Sequence, residues 1–247
     1  MADISDRFLR ASDVSDKWGL NVVLFGPNGA GKTTLASTAQ DSEFGRDVIF
    51  CDVEGGTRSI ADREDIQVFV PDRWSEIADF YAFLAGQQHP YRTIVLDSLA
   101  ELYHYAIKDV MGGASGAPQL QHYGEANDRL ATLVRNFKRF SRELGWNVIF
   151  TAPAVEVKDD ITGMVLTRVD LTPGAAKSVF QIVDTMAYLG VESKREGGTL
   201  QTRRYLQIGP TGNITAKHRQ PRSGNPLPTR ITDPSLVSIL AQRKESK

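Results

Sequence analysis

The chain has 247 residues, 41% of them hydrophobic, which suits one large α/β domain or a core with a small annex. Its 29 Lys and Arg against 30 Asp and Glu leave a formal net charge of -1, so no whole-molecule field pulls it onto nucleic acid or anionic lipid, and any polyanion must be held by a local patch. A single cysteine, Cys51, excludes an internal disulfide and a thiolate metal cluster, as expected of a reducing compartment.

Residues 1–18 are polar and mixed in charge and read as a surface arm without the basic and apolar stretches of a signal peptide. No apolar run approaches the roughly 18 residues of a membrane span, so a soluble cytoplasmic protein is expected. LNVVLF (20–25) is a short apolar run ending at a glycine loop, as a buried parallel strand does, and KTTLASTAQ after it has helix-forming character. DVIFCDV (47–53), with Cys51 as a small buried residue, and IQVFV (66–70) are the next strands. IADFYAFLAG reads as a helix stopping at Gly86, and RTIVLDS (92–98) returns as a strand before a carboxylate. MGGASGAPQLQHYGE (111–125) is long for a connector and predicts a mobile or binding loop, with His122 and Tyr123 stacking on a base or packing the loop. From 125 to 144, Leu130, Leu133, Val134, Phe137 and Leu144 recur at helical spacing, and WNVIFTA (146–152) is another buried strand.

Beyond Pro153 the pattern changes to hairpins. DDITG separates AVEVK from MVLTRVDL, and KREGGT separates DTMAYLGVES from LQTRRYLQIG. A Pro/Gly loop, PRSGNPLP (221–228), then leads to a last short helix, PSLVSILAQ, capped by Asp233 and Pro234. The expected organisation is an arm at 1–18, a core at 19–220 and a C-terminal loop and short helix at 221–247.

In FGPNGAGKTT, residues Gly26, Gly31, Lys32 and Thr33 satisfy GxxxxGK[ST] in full, between a strand and a helix as that motif requires. Glycines let the backbone wrap phosphates, Lys32 reaches the β and γ oxygens, and Thr33 ligates Mg²⁺. The nucleotide-binding segment is therefore Gly26, Pro27, Asn28, Gly29, Ala30, Gly31, Lys32, Thr33 and Thr34. Such a loop needs a carboxylate at a neighbouring strand end to hold the metal's water shell. Asp97 in TIVLDS has that place, a cap on the next helix being the alternative. Ser98 cannot orient the attacking water. Glu54 can, at the end of the strand directly after the phosphate-loop helix, unless it is only an exposed loop carboxylate. The four histidines at 89, 104, 122 and 218 show no metal-ligand spacing, so no zinc is expected.

FGPNGAGKTT, FCDVE, IVLDS and a polar residue closing a strand in VIFTA together resemble the ATPase core of the RecA recombinase family over roughly residues 20–220. They are most similar to phage-encoded RecA-like ATPases, including the Sak-type recombination proteins. The resemblance implies a RecA-like P-loop NTPase fold: α/β, a three-layer sandwich with a mainly parallel central sheet extended by antiparallel strands and hairpins. It implies an ATPase using ATP and Mg²⁺, with Glu54 as general base, Asp97 as the metal-shell carboxylate acting through water, and Thr151 as a sensor of the γ-phosphate. Thr151 departs from the Asn-Gln or Gln of the family, and an unremarkable strand-end threonine is the alternative.

The resemblance further implies self-association into a ring or filament whose ATP site is completed between subunits. Lys217 and Arg219 in TAKHRQ resemble the KxR element of hexameric helicases that acts on a neighbour, an exposed basic strand end being the alternative. FLRA (8–11) matches an FxxA subunit-docking pattern or is a packing segment. Single-stranded DNA would meet loops after the strand at 146–152 and around LTPGAAKSVF (171–180), with Lys158, Arg168, Lys177 and amides near Gly174 on its phosphates, set against scattered surface lysines. The implied setting is phage recombination or annealing in the host cytoplasm, with a single-strand DNA-binding protein as partner and no membrane. Two other classes stay open. One is a nucleotide-switched adaptor or loader that does not process DNA. The other is a P-loop kinase with KREGGTLQTRR as its arginine-rich lid, although alternation around a glycine turn suits a hairpin better.

Overall fold

The computed structural model describes residue 8 and residues 18–158, 163–196, 199–219 and 226–245. Most of the 1–18 arm, including FLRA beyond Phe8, and the start of the Pro/Gly loop lie outside the described residues. The chain runs β1 (Asn21–Gly26), α1 (Lys32–Ser37), β2 (Val48–Asp52), β3 (Gln67–Phe69), α2 (Trp74–Ala85), β4 (Thr93–Asp97), α3 (Leu99–Val110), α4 (Leu120–Glu143), β5 (Asn147–Lys158), β6 (Val165–Val169), α5 (Pro173–Ile182), β7 (Thr185–Glu196), β8 (Thr199–Gln207), β9 (Lys217–His218), β10 (Arg230–Thr232) and α6 (Leu236–Glu245).

Strands that are apolar at every position must bury both faces, and the two faces fill two cores. Val23 and Phe25, Ile49 and Cys51, Ile94 and Leu96, and Val148 and Phe150 point to one side. There they meet Leu102, Leu130, Val134 and Phe137 of α3 and α4. Val22 and Leu24, Phe50, Val95 and Ile149 point to the other side, onto Leu35 and Ala36 of α1 and Leu236, Ile239 and Leu240 of α6. The result is the expected three-layer α/β sandwich. Cys51 is a core residue whose thiol is pushed up to about 12, first by burial and then by Asp52.

Within the ten-stranded sheet the order is β10-β8-β7-β1-β5-β4-β2-β3, with β6 beside β5 and β9 beside β7. β1 pairs in parallel with β5 and β7, β4 in parallel with β5 and β2, and β2 in parallel with β3. The pairs β7–β8, β8–β10, β5–β6 and β7–β9 are antiparallel, which is the extension by hairpins expected from the change of pattern after Pro153.

Several expectations are corrected. β5 does not stop near residue 152. Gly26↔Pro153 is its last pair with β1, and from Ala154 to Lys158 it pairs with β6 instead. The 111–125 segment is a shorter connector, because α4 starts at Leu120, where the Gln119 and His122 side chains form a reciprocal capping box. His122 is thus committed to that helix start, its Nδ1 accepting from the Gln119 amide at 3.0 Å. The stretch around 171–180 is helix α5, with Pro173 at its first turn, and not a loop. The cap on α6 is supplied by Ser235, whose Oγ accepts from the Val237 amide at 3.2 Å, and Asp233 instead adopts a left-handed turn at φ 47°. Beyond residue 226, β10 pairs with β8 and Leu236 and Leu240 of α6 are buried.

Candidate nucleotide site

β1, β2 and β4 end together on one edge of the sheet, where β5 passes from β1 to β6, with Gly26 beside Pro153 and Asp52 beside Asp97. The loop after β1 crosses that edge. Its turn is closed by the Ala30 amide on the Pro27 carbonyl at 3.2 Å, and Gly29 and Gly31 take φ values of 76° and 96° that side-chain-bearing residues avoid. A Cβ on Gly29 would meet nothing within 4 Å, so it is the backbone conformation and not crowding that favours glycine there. Lys32 curls back over the loop, its Nζ donating to the carbonyls of Gly26 and Pro27, each at 3.1 Å. Partial burial lowers the Lys32 pKa, while Asp97 and then Glu54 hold the ammonium form up.

Thr33 Oγ1 donates to Asp97 Oδ2 at 2.6 Å, the pairing of hydroxyl and carboxylate expected around a magnesium ion. The other oxygen, Oδ1, accepts from the hydroxyl of Thr151. Thr151 is therefore not a strand-end residue: it is fully buried, lies opposite Leu24 within β5, and holds the Asp97 carboxylate in place. Ser98, the next residue and also fully buried, has an Oγ without a hydrogen-bond partner among the described residues.

The loop carrying Glu54 is organised by a residue that sequence reasoning passed over. Asp52 is buried; its Oδ1 accepts from the amides of Glu54, Gly55 and Gly56 at 3.3, 2.8 and 3.0 Å. Its Oδ2 accepts from the Thr57 amide at 3.1 Å and from the Thr57 hydroxyl. The turn brings the Gly56 backbone against the metal pair, where a Cβ would stand 2.9 Å from Asp97 Oδ2 and 3.1 Å from Thr33 Oγ1. Any side chain there would press on both members of the pair. Glu54 itself is exposed at the mouth of the crevice and close enough to Asp97 to act on its charge.

These residues fit a magnesium nucleotide. The donors are hard oxygens from one hydroxyl and one carboxylate, with the rest of an octahedral shell left to phosphate and water. No cluster of three or more His, Cys, Asp or Glu side chains that could cage a metal occurs among the described residues. Burial raises the Asp97 carboxyl above the usual carboxylate range. Hydrogen bonds from Thr151 and Thr33 oppose the rise, and Glu54 and Asp52 add to it.

The remaining candidates lie elsewhere. Lys217 and Arg219 sit beside the start of β7, where His218↔Thr185 and Val22↔Thr185 place them at the sheet end opposite the phosphate loop. Lys217 donates to the Phe180 carbonyl and lies 4.7 Å from that ring's centroid, and burial followed by Arg219 lowers it to about 8. Arg219 pairs with Asp184 at 3.2 Å, an acid already paired with Lys138 at 2.6 Å. Lys158 is exposed at the outer end of β5, and Arg168 is half-buried on β6. Gly174 lies in the first turn of α5, its Cβ position 2.7 Å from Asn127 Nδ2, and Lys177 is exposed on the same helix.

A family model described as an AAA domain matches residues 19–220. The chain belongs to this family. As an AAA domain protein it is a P-loop ATPase in the general sense, nucleotide-binding and NTP-hydrolysing, with Mg²⁺ as the family's usual metal. No curated protein sequence matches the chain. Among the described residues no helix is long and apolar enough to cross a membrane.

The raised Asp97 pKa has a measurable consequence for the AAA domain without nucleotide. The folded state binds this proton more tightly than the unfolded chain, so the contribution to stability is greatest below the unfolded value, about pH 4, and is lost as pH rises through the folded value. Asp97→Asn removes that loss. Urea unfolding without Mg²⁺ is expected to show the variant gaining on wild type as pH rises from about 4. A difference that does not vary with pH would contradict the assignment.

Proposed function

We propose that the chain is a Mg²⁺-dependent, RecA-like ATPase of the phage recombination type, related to the Sak-type proteins, which assembles on single-stranded DNA and promotes annealing or strand exchange. The observation that carries the catalytic part is the contact of Thr33 with Asp97, under Lys32 and beside the Asp52-pinned loop that presents Glu54. Mg²⁺, when bound, would be held by Thr33 and, through water, by Asp97, and would supply neutralisation of phosphate charge. Lys32 holds the phosphates, Asp97 orients the metal's water shell, Thr151 fixes Asp97, and Glu54 takes the proton of the attacking water.

Support for DNA contact is a matter of local charge. In a chain of net charge -1, the exposed Lys158 and Lys177 and the half-buried Arg168 are basic groups spread over the β5–β6 hairpin and α5. Phosphates of a single strand would pair with these side chains. ATP favours the assembled state because the γ-phosphate bridges two subunits, and hydrolysis releases it.

Arg219 is the cation that completes a neighbour's site. It is the more exposed of the basic pair, and Asp184 keeps its Lys138 partner when Arg219 swings away. Arg219→Ala is expected to lower turnover of the assembled protein without changing nucleotide affinity. Unchanged turnover would count against a trans-acting role.

Phosphate release measured with and without single-stranded DNA, at two protein concentrations, tests the whole reading. The rate per chain is expected to rise with both. Slow turnover indifferent to DNA would favour the nucleotide-switched adaptor and overturn the recombination role.

A further inference from the structure

We infer that Arg204 is a phosphate ligand of the bound nucleotide, supplied in cis by the β7–β8 hairpin; the inference rests on reading residues 26–34 as the nucleotide site. Its position follows from the ladder. Leu189↔Leu206 is an apolar cross-strand pair whose side chains enter the same core as Leu35 and Ala36 of α1. Alternation then puts Arg204, two residues before Leu206, on the α1 face. Gly26 packs against this level of β7, since a Cβ there would stand 2.2 Å from the Leu189 carbonyl oxygen. Arg204, opposite Val191, is one pair beyond Gly190↔Tyr205 and so stands above the strand end where the phosphate loop begins.

Arg204 Nε donates to the Ala30 carbonyl at 2.8 Å. The Cβ position of Gly31 is 3.0 Å from that Nε and 3.6 Å from Cζ, so the guanidinium lies directly against the loop backbone. Arg204 forms no ion pair among the described residues, whereas Arg63, Arg129, Arg219 and Arg230 each have a carboxylate. Its terminal N–H groups are left without protein acceptors there, a planar fork suited to phosphate oxygens.

The flank matters as much as the contact. Asp97 and Glu54 stand on the β4 and β2 side of β1, and Arg204 stands on the β7 and β8 side. The hydrolysed end of the nucleotide belongs with Asp97 and Glu54. Arg204 therefore binds oxygens that ADP and ATP share.

The test is calorimetric titration of Mg-ADP and Mg-ATP into the full chain and into Arg204→Ala, Arg204→Gln and Arg204→Lys, each checked for folding by thermal melting. Arg204→Ala and Arg204→Gln are expected to weaken both nucleotides to a similar extent, roughly 10- to 100-fold, with partial retention in Arg204→Lys. Arg204→Gln separates the two roles the side chain could have, because it keeps an N–H donor for the Ala30 carbonyl but not the charge. Wild-type affinity in Arg204→Gln would show a prop for the loop and overturn the inference, as would wild-type affinity in Arg204→Ala or a loss confined to ATP. Should the alanine variant fail to fold, the glutamine and lysine variants decide the matter. Wild type that binds neither nucleotide would remove the phosphate-loop reading itself, and the inference with it. Wild type that binds both, alongside indifferent variants, removes only the inference.

Discussion

Lys32→Ala is expected to reduce phosphate release about 10²- to 10³-fold, the usual loss when one preorganised charge stabiliser is deleted, and to weaken triphosphate binding. The side chain is held ready by the Gly26 and Pro27 carbonyls at 3.1 Å, inside the turn it must serve. Burial works against its charge and the carboxylates of Asp97 and Glu54 work for it, so the ammonium is only partly compensated before nucleotide arrives. An incoming polyphosphate relieves that imbalance, and the interaction is stronger than it would be in bulk water. The same imbalance predicts that the alanine variant loses little stability without nucleotide but loses most of the thermal shift that ATP produces. Phosphate release and thermal shift together check the claim; wild-type values of both would refute it.

Glu54→Gln is expected to separate binding from hydrolysis. A positioned general base contributes about 10²- to 10⁴-fold, and the amide keeps the shape of the side chain without its basicity. The backbone of the loop should not change, because its amides are held by Asp52 and not by Glu54. The variant should therefore bind ATP at least as tightly as wild type, with one repelling charge fewer, and accumulate in the ATP-bound state. Single-turnover hydrolysis measures the chemical step directly. A rate within a fewfold of wild type would assign the base to another group.

The phosphate loop and the carboxylates around it were legible because they are written in short, contiguous strings. GPNGAGKTT fixes its own backbone through Gly29 and Gly31, and FCDVE and IVLDS each end a continuous apolar run that could only be a buried strand. Both β hairpins were legible for the same reason, since alternation and a turn signal are local. Thr151 was misread as a strand end because Pro153 looks like a terminator. Pro153 instead marks the point where β5 exchanges β1 for β6 as its partner. The loop expected around 171–180 comes from the family resemblance, whereas locally Pro173 is well suited to the first turn of α5.

Asp52 carried a local signal that could have been used, an Asp ahead of Gly-Gly-Thr, where a short carboxylate captures the amides of the following turn. Arg204 ends KREGGTLQTRR, the stretch weighed above as an arginine-rich lid, but nothing local in it points to the phosphate loop. Its hydrogen bond to Ala30 spans 174 residues and exists only because β7 and β8 fold back beside β1.

Calorimetric titration of ATP into the wild-type chain, once with Mg²⁺ and once with chelator, addresses the arrangement of Lys32, Thr33 and Asp97 most directly. Saturating heat at one nucleotide per chain, weakened by chelator and weakened in the same way by Asp97→Asn with Mg²⁺ present, is the result this arrangement predicts. Absence of heat, or binding indifferent to both magnesium and Asp97, would contradict it.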